Sequence, residues 1–271
     1  MQELSLKEIQ EETLKTFLKL EEICEELNIK CFLAFGTLLG AIRHKGFIPW
    51  DDDLDVMMTR NDFEHLADFI EKNKDNFSPY KICTRGNTKN YTCSNPRFTD
   101  TSFVFKSSYK YEKPFEQGVF VDIYLLDTCG NSANQFHYLN KKIRRLDKFY
   151  IIYNNPNNGK KDLKCLIRYF TSIFLHFTWG FNFDIDAKIK RVLSKNTSGS
   201  DDFVAILSEK ICVPIRKDLL SKCQEKEFEG ERAFVLPNYE ELLENEYGDY
   251  MRLPDESERT PHHNYSIFKN S

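Results

Sequence analysis

Asp53-Leu54-Asp55-Val56-Met57-Met58 sets two carboxylates at alternate positions at the head of an otherwise apolar run. Alternation is the period of a β-strand, in which residues two apart share a face and adjacent residues take opposite faces. Read as a strand over 53–58, the run turns Asp53 and Asp55 side by side to one face and Leu54 and Val56 to a core. Two ionised carboxylates so close repel each other, so a fold that accepts this strand must supply balancing charge. A divalent cation does so, and hard oxygen ligands favour Mg²⁺ or Mn²⁺. Asp122 poses the same problem, as a single acid between Val121 and Ile123 in GVFVDIYLLD (118–127). A buried carboxylate is costly unless paired or metal-bound. Bringing Asp122 onto a strand beside Asp53 and Asp55 puts three carboxylates around one or two metals.

The chain upstream suits that chemistry. KCFLAF (30–35) reads as a short buried strand that ends at Gly36, and TLLGAIR reads as a short helix beginning at Thr37. Backbone N–H groups and a hydroxyl at a helix start hold phosphate. An anion site beside a metal site describes phosphoryl transfer. Arg43, His44 and Lys45 follow that helix and offer charge to a diphosphate; pairing with Asp51 and Asp52 is their alternative role. Arg97, in PRFTDTSF (96–103), reaches a phosphate or forms a surface ion pair.

Elsewhere the pattern sets the architecture. Apolar steps of three and four from Leu6 to Leu27 predict an amphipathic helix stopped at Asn28. A helix is expected over 60–73, capped by Thr59 or Asn61, with strands at 80–85 and 118–127 and a strand, turn and strand over 96–105. After position 131 the pattern turns helical, at 132–153, 160–178 and 184–195, and a Pro-initiated helix follows at 237–248. The fold class is therefore α+β: a mixed β-sheet core flanked by helices, with a largely helical second half. The expected division is 1–130 and 131–271, the second portion packing on the first or continuous with it.

Composition removes whole classes. With 38 basic and 42 acidic residues the net charge is −4, so nucleic acid is not an expected partner. The eight cysteines include no CxxC pair and the charged N-terminus has no signal-peptide core, which predicts reduced cysteines in a cytoplasmic protein. LKCLIRYFTSIFLHFTW (163–179) is the longest apolar stretch, interrupted by Lys164, Arg168 and His176. It falls short of the roughly 20 residues that cross a bilayer. It reads as a buried or amphipathic helix. The alternative is a helix lying on a membrane surface, with Lys160, Lys161, Lys164 and Arg168 toward headgroups.

Strand, Gly-Thr, short helix, DxD on a strand and a later lone Asp resemble the nucleotidyltransferase superfamily. More specifically, GTLLGAIRHKGFIPWDDDLDVMM (36–58) resembles the signature of the LicD family, which includes bacterial phosphocholine transferases and fukutin-type pentitol-phosphate transferases. PRFTDTSF, GVFVDIYLLD, FEGERAFVLPNYEELLENEYGDYM (228–251) and LPDESERTPHH (253–263) match further. The resemblance implies a nucleotidyltransferase-like core at 1–130, completed by the second portion. It implies Mg²⁺-dependent transfer of phosphocholine from CDP-choline to a sugar hydroxyl of a glycan or lipid-linked glycan, in teichoic acid, lipopolysaccharide or capsule. Transfer of ribitol or glycerol phosphate from another CDP-linked donor, or true nucleotidyl transfer, stands as the alternative. By motif, Asp53 and Asp55 are metal ligands and Asp122 is a third ligand or the base. Gly36 and Thr37 hold donor phosphate, and His263 of the closing motif lines the site. Lipid-linked acceptors imply work at the inner face of the membrane. The fukutin-related branch carries zinc-binding cysteines, and the lack of such a cluster here favours a bacterial-type member. A non-catalytic module of the same fold is disfavoured, because all three carboxylates are present.

Overall fold

The computed structural model describes residues 1–108, 114–157, 163–180, 183–260 and 265–269. In chain order its elements are β1 (Gln2–Glu3), α1 (Leu6–Glu26), β2 (Phe32–Leu33), α2 (Phe35–Arg43), β3 (Asp55–Thr59), α3 (Arg60–Lys72), α4 (Lys74–Phe77), β4 (Tyr80–Cys83), β5 (Arg97–Asp100), β6 (Phe103–Ser107) and β7 (Val119–Thr128). They continue with α5 (Ala133–Asn154), α6 (Leu163–Trp179), α7 (Ile185–Asn196), β8 (Phe203–Ala205), β9 (Ile215–Arg216), β10 (Gln224–Phe228), β11 (Glu231–Val235), α8 (Tyr239–Tyr247) and β12 (Tyr265–Lys269). The class is α+β, as the pattern predicts.

The main sheet runs β10-β11-β2-β3-β7-β5-β4, with β8 joined to β7 and β9 to β8; a small sheet runs β1-β12-β6. β3 and β7 are parallel, while β7 pairs antiparallel with β5. The strands after residue 200 belong to the same sheet as those before 130: β11 pairs with β2, and β8 with the end of β7. The β10–β11 hairpin is not legible in its sequence. QEKEF, at the sheet edge, and ERAFV, inside it, are largely charged, with only Phe228, Ala233 and Val235 buried, and their pairing through Gln224↔Val235 to Phe228↔Glu231 forms them.

Local signals explain the main helix boundaries. Ser5 and Glu8 form a reciprocal capping box at the start of α1. The chain leaves α1 through Asn28 at φ 54°, a left-handed position that Asn tolerates. Thr59 caps α3 by accepting from the Asp62 N–H at 3.2 Å. Phe17, Leu20 and Ile23 of α1 pack on Leu54, Val56, Val121 and Ile123, the apolar face of β3 and β7. That burial fixes which way the alternate residues point. β3 begins at Asp55, two residues later than predicted, so Asp53 lies in the loop just before it; with Leu54 and Val56 in the core, Asp55 takes the other face.

α6 departs from the expectation of a buried helix. Cys165, Ser172 and Leu175 are buried, whereas Leu166, Ile167, Phe170 and Phe174 are exposed. The helix uses its polar and small residues to attach to α5 and leaves its large apolar residues outside.

One charged residue is held against its solvation. Burial, with Glu231 and Glu25 nearby, pushes the Glu21 carboxyl up to about 7. The unfolded value lies near ~4.3, so the folded state is favoured by protonation, and that contribution is lost as pH rises from about 4.3 through about 7. Glu21→Gln is expected to flatten the decline in melting temperature over that interval and to melt higher than wild type at pH 8. An unchanged thermal profile across pH 5–8 would count against this assignment.

Candidate active site

The register of three strands builds the site. Asp55 of β3 stands opposite Asp122 of β7, and Asp122 stands opposite Arg97 of β5. Residues opposite each other across a sheet project from the same face, so acid, acid and base form one row. Arg97 answers Asp122 with a two-point ion pair, Nε to Oδ1 at 2.8 Å and Nη2 to Oδ2 at 3.2 Å. Its guanidinium lies 3.9 Å from the centre of the Phe120 ring, and its Nη1 donates to the Gln117 side-chain oxygen at 3.1 Å. Arg97 thus spends its charge on Asp122 in a buried pair, neither a surface ion pair nor an open phosphate contact.

Asp55 receives no such partner. It is 6% exposed, and its Oδ1 is buried without a hydrogen-bond donor. Burial first, then the charges of Asp53, Asp122 and Asp51, push its carboxyl well above the usual range. Asp53, Asp55 and Asp122 each offer an oxygen within 4.8 Å of the others, as do Asp51, Asp52 and Asp53. Oxygen-only donors, excess negative charge and an orphaned buried carboxylate oxygen fit Mg²⁺ or Mn²⁺. Asp53, Asp55 and Asp122 are the residues that would hold it.

The approach to this row is constrained at several points. α2 begins at Phe35, two residues before the predicted start, and Phe35 sits at φ 44°. A bulky side chain in the left-handed region costs about 1–3 kcal/mol, and such strain gathers at functional positions. The turn places the Phe35 ring 4.6 Å from that of Tyr124. The Thr37 hydroxyl accepts from the Asp55 N–H at 2.8 Å, tying the first turn of α2 to the head of β3. That leaves its O–H proton to donate. A Cβ on Gly36 would lie 2.8 Å from Asp51 Oδ2, so the absent side chain lets the carboxylate loop close against the helix start. Gln10 of α1 donates to the Asp51 carbonyl at 2.8 Å, and the Tyr265 hydroxyl of β12 donates to the Asp52 carbonyl at 2.9 Å. The loop before β3 is therefore held from both ends of the chain.

The basic cluster takes other partners. Arg43 donates through Nη1 to the carbonyls of Tyr250 at 2.9 Å and Arg252 at 3.3 Å, and through Nε to His44. The His44 ring meets Trp50 edge-on at 6.4 Å, and burial with Arg43 nearby lowers its pKa. Lys45 reaches Glu227 of β10 at 3.4 Å, with both side chains largely exposed. His263 lies outside the described residues.

A pocket adjoins the carboxylates that sequence reasoning missed. Ala34, Phe35, Met57, Ile206, Leu242, Glu246 and Tyr247 contribute to its walls, and no Lys, Arg or His is among its described lining residues. Met57 follows Asp55 on the same face of β3, and Phe35 precedes Gly36, so the pocket lies next to the carboxylate row. Burial and the nearby Asp55, Glu246, Asp51 and Asp53 push the Tyr247 hydroxyl above its ordinary range, and burial raises Glu246. Only the aromatic content of NYEELLENEYGDY pointed there, and nothing in the spacing told which ring would face the site.

The chain is similar to known proteins along its length. Residues 28–126 match the family described as LicD/FKTN/FKRP, nucleotidyltransferase domain. The chain is 29% identical over 273 residues, 97% of each protein, to the lipopolysaccharide cholinephosphotransferase LicD of Haemophilus influenzae. Shorter similarities, 47% over 49 residues and 43% over 53, link it to uncharacterised proteins of Rickettsia prowazekii and Rickettsia typhi, at 18% and 20% of this chain.

Removing one acid should relieve the unliganded cluster. Asp53→Asn is expected to raise the melting temperature in EDTA by roughly 2–4 °C, the shift for about 1 kcal/mol in a chain of this size, and to abolish a Mg²⁺-induced rise seen in wild type. A wild-type melting temperature indifferent to Mg²⁺ and Mn²⁺ would refute the metal assignment. Arg97→Ala leaves Asp122 buried without its counter-charge and should cost about 3–5 kcal/mol in chemical denaturation. The matched segment, residues 28–126, contains Asp53, Asp55, Arg97 and Asp122, so the row of acids and base lies in the part of the chain that is similar to the LicD/FKTN/FKRP nucleotidyltransferase domain.

Proposed function

We propose that this protein transfers phosphocholine from CDP-choline to a sugar hydroxyl of a cell-surface glycan, working in the cytoplasm at the inner face of the membrane. The observation that carries the reading is the meeting of Asp53, Asp55 and Asp122 within 4.8 Å, with an orphaned oxygen on Asp55. Likeness along nearly the whole chain to a lipopolysaccharide cholinephosphotransferase supports the transferred group and the glycan acceptor. The pocket beside the carboxylates supports choline. Aromatic and apolar walls with a carboxylate and no cation suit a quaternary ammonium, which is attracted to ring faces and repelled by lysine or arginine.

In the reaction, the sugar oxygen bonds to the phosphorus that bears choline. The bond from that phosphorus to the bridging oxygen breaks, and CMP leaves. A bound Mg²⁺ or Mn²⁺ supplies charge stabilisation for the donor phosphates and the leaving oxygen. Asp55 at the head of β3 and Asp53 in the loop just before it hold their oxygens together for this purpose, fixed by the core packing of Leu54 and Val56. Arg97 orients Asp122, which serves as ligand or takes the proton of the sugar hydroxyl. The first turn of α2, tied to the head of β3 through the Thr37 hydroxyl, would offer its backbone N–H groups to a donor phosphate. Phe35 and Tyr247 flank the headgroup.

Purified protein incubated with a glycan acceptor and a panel of CDP-choline, CDP-ribitol, CDP-glycerol and ATP should release CMP from CDP-choline alone, and EDTA should stop it. Asp55→Ala and Asp122→Asn should each lower turnover by more than ~100-fold, beyond the loss typical of groups that only orient a ligand. Preferred turnover of CDP-ribitol would replace choline with a pentitol. Undiminished turnover in EDTA would end the mechanism.

A further inference from the structure

α6 is built with its faces exchanged. At 100° per residue, Leu166, Ile167, Phe170, Ile173, Phe174 and Phe177 fall on one side of the helix. All six face outward, between 52% and 89% exposed. Arg168, Ser172, His176 and Trp179 fall on the opposite side and attach the helix to α5. Arg168 donates to the carbonyls of Asn155 at 2.9 Å and Pro156 at 3.0 Å. The Ser172 hydroxyl donates to the Tyr153 carbonyl at 3.2 Å, and the His176 ring stacks on that of Tyr153 at 4.0 Å. These polar contacts fix the rotation of the helix, so the apolar face is held outside by bonds and not left there by loose packing. A contiguous apolar face of this size is rare on a monomer in water and marks a surface that something covers.

Charge says what covers it. α6 carries no Asp or Glu. At its far end Trp179 shares a depression with Lys141, Lys142 and Arg145 of α5. Lys164 is exposed on the flank of the apolar face. Tyr138 and Tyr169, at 49% and 45% exposed, add amphipathic rings of the kind that settle at headgroup level. An anionic bilayer meets this cationic rim with phosphates and the Phe and Ile face with acyl chains. The 17 residues of α6 extend about 25 Å. No helix among the described residues is long and apolar enough to cross a membrane. We infer that α6 docks the protein flat on an anionic phospholipid surface, its Phe and Ile side chains entering the acyl boundary and the lysines and arginine of α5 meeting the headgroups. This corrects one part of the surface-helix alternative: Arg168 faces the protein, not lipid, and Lys160 and Lys161 lie outside the described residues. The docking surface stands whatever group the active site transfers.

Flotation of the full-length protein with vesicles tests it. Wild type should float with vesicles of phosphatidylcholine and phosphatidylglycerol, and severalfold less with phosphatidylcholine alone or in 0.5 M salt. Phe170→Glu/Phe174→Glu, on exposed positions that leave circular dichroism unchanged, should lower partitioning at least tenfold. Lys141→Glu/Arg145→Glu should lower it severalfold on anionic vesicles only. Wild type that stays unbound, or that binds neutral and anionic vesicles alike, overturns the inference. So does a dimer in light scattering that dissociates in Phe170→Glu/Phe174→Glu, which would assign the face to a second copy.

Discussion

Asp55, Asp122 and Arg97 lie in one row across β3, β7 and β5, and the site follows from the charge balance of that row. Two acids and one base leave a surplus of negative charge at the head of a buried strand. Arg97 settles Asp122 with two hydrogen bonds, so the surplus falls on Asp55, whose Oδ1 has no donor. A protein gains nothing in stability from such an arrangement, since a buried like-charge pair opposes folding. It persists because the core on the other face is strong enough to hold it. Leu54, Val56, Val121 and Ile123 are each fully buried against α1.

The same logic reaches the surrounding loop. The segment before β3 carries three consecutive acids, and it is fastened by neutral donors: Gln10 to the Asp51 carbonyl and Tyr265 to the Asp52 carbonyl. Both anchors grip the backbone of the loop rather than its carboxylates. Phe35 extends the theme, since its left-handed backbone is a local cost that turns an aromatic ring toward the pocket. Strain, orphaned acid and unpaired apolar walls meet within one region, where local stability is given up for function.

α6 shows the opposite relation between sequence and surface. Its polar residues face the protein because the end of α5 offers carbonyls and a tyrosine ring for them to bind. A periodicity argument finds an apolar face and assigns it to the core, since that is where apolar faces usually go. Periodicity carries no information about which side the neighbour occupies. The basic cluster after α2 teaches a similar point. Arg43 and Lys45 lie two residues apart, yet one bonds the carbonyls of Tyr250 and Arg252 and the other pairs with Glu227, all remote in the chain.

Sequence by itself determined the strand character of 55–58 and 119–127, the cap at Thr59, the stop at Asn28, and the need for balancing charge at Asp53, Asp55 and Asp122. Each of these depends on residues within a few positions of one another, where period, capping chemistry and the cost of burying charge act locally. Only the tertiary structure decided that Arg97 serves Asp122, that β8 to β11 complete the sheet, that Phe35 and Tyr247 share a pocket, and that the apolar side of α6 faces outward. Those outcomes turn on register and on which surfaces meet. Both are settled by the summed packing of segments far apart in the chain, so no local stretch of residues encodes them.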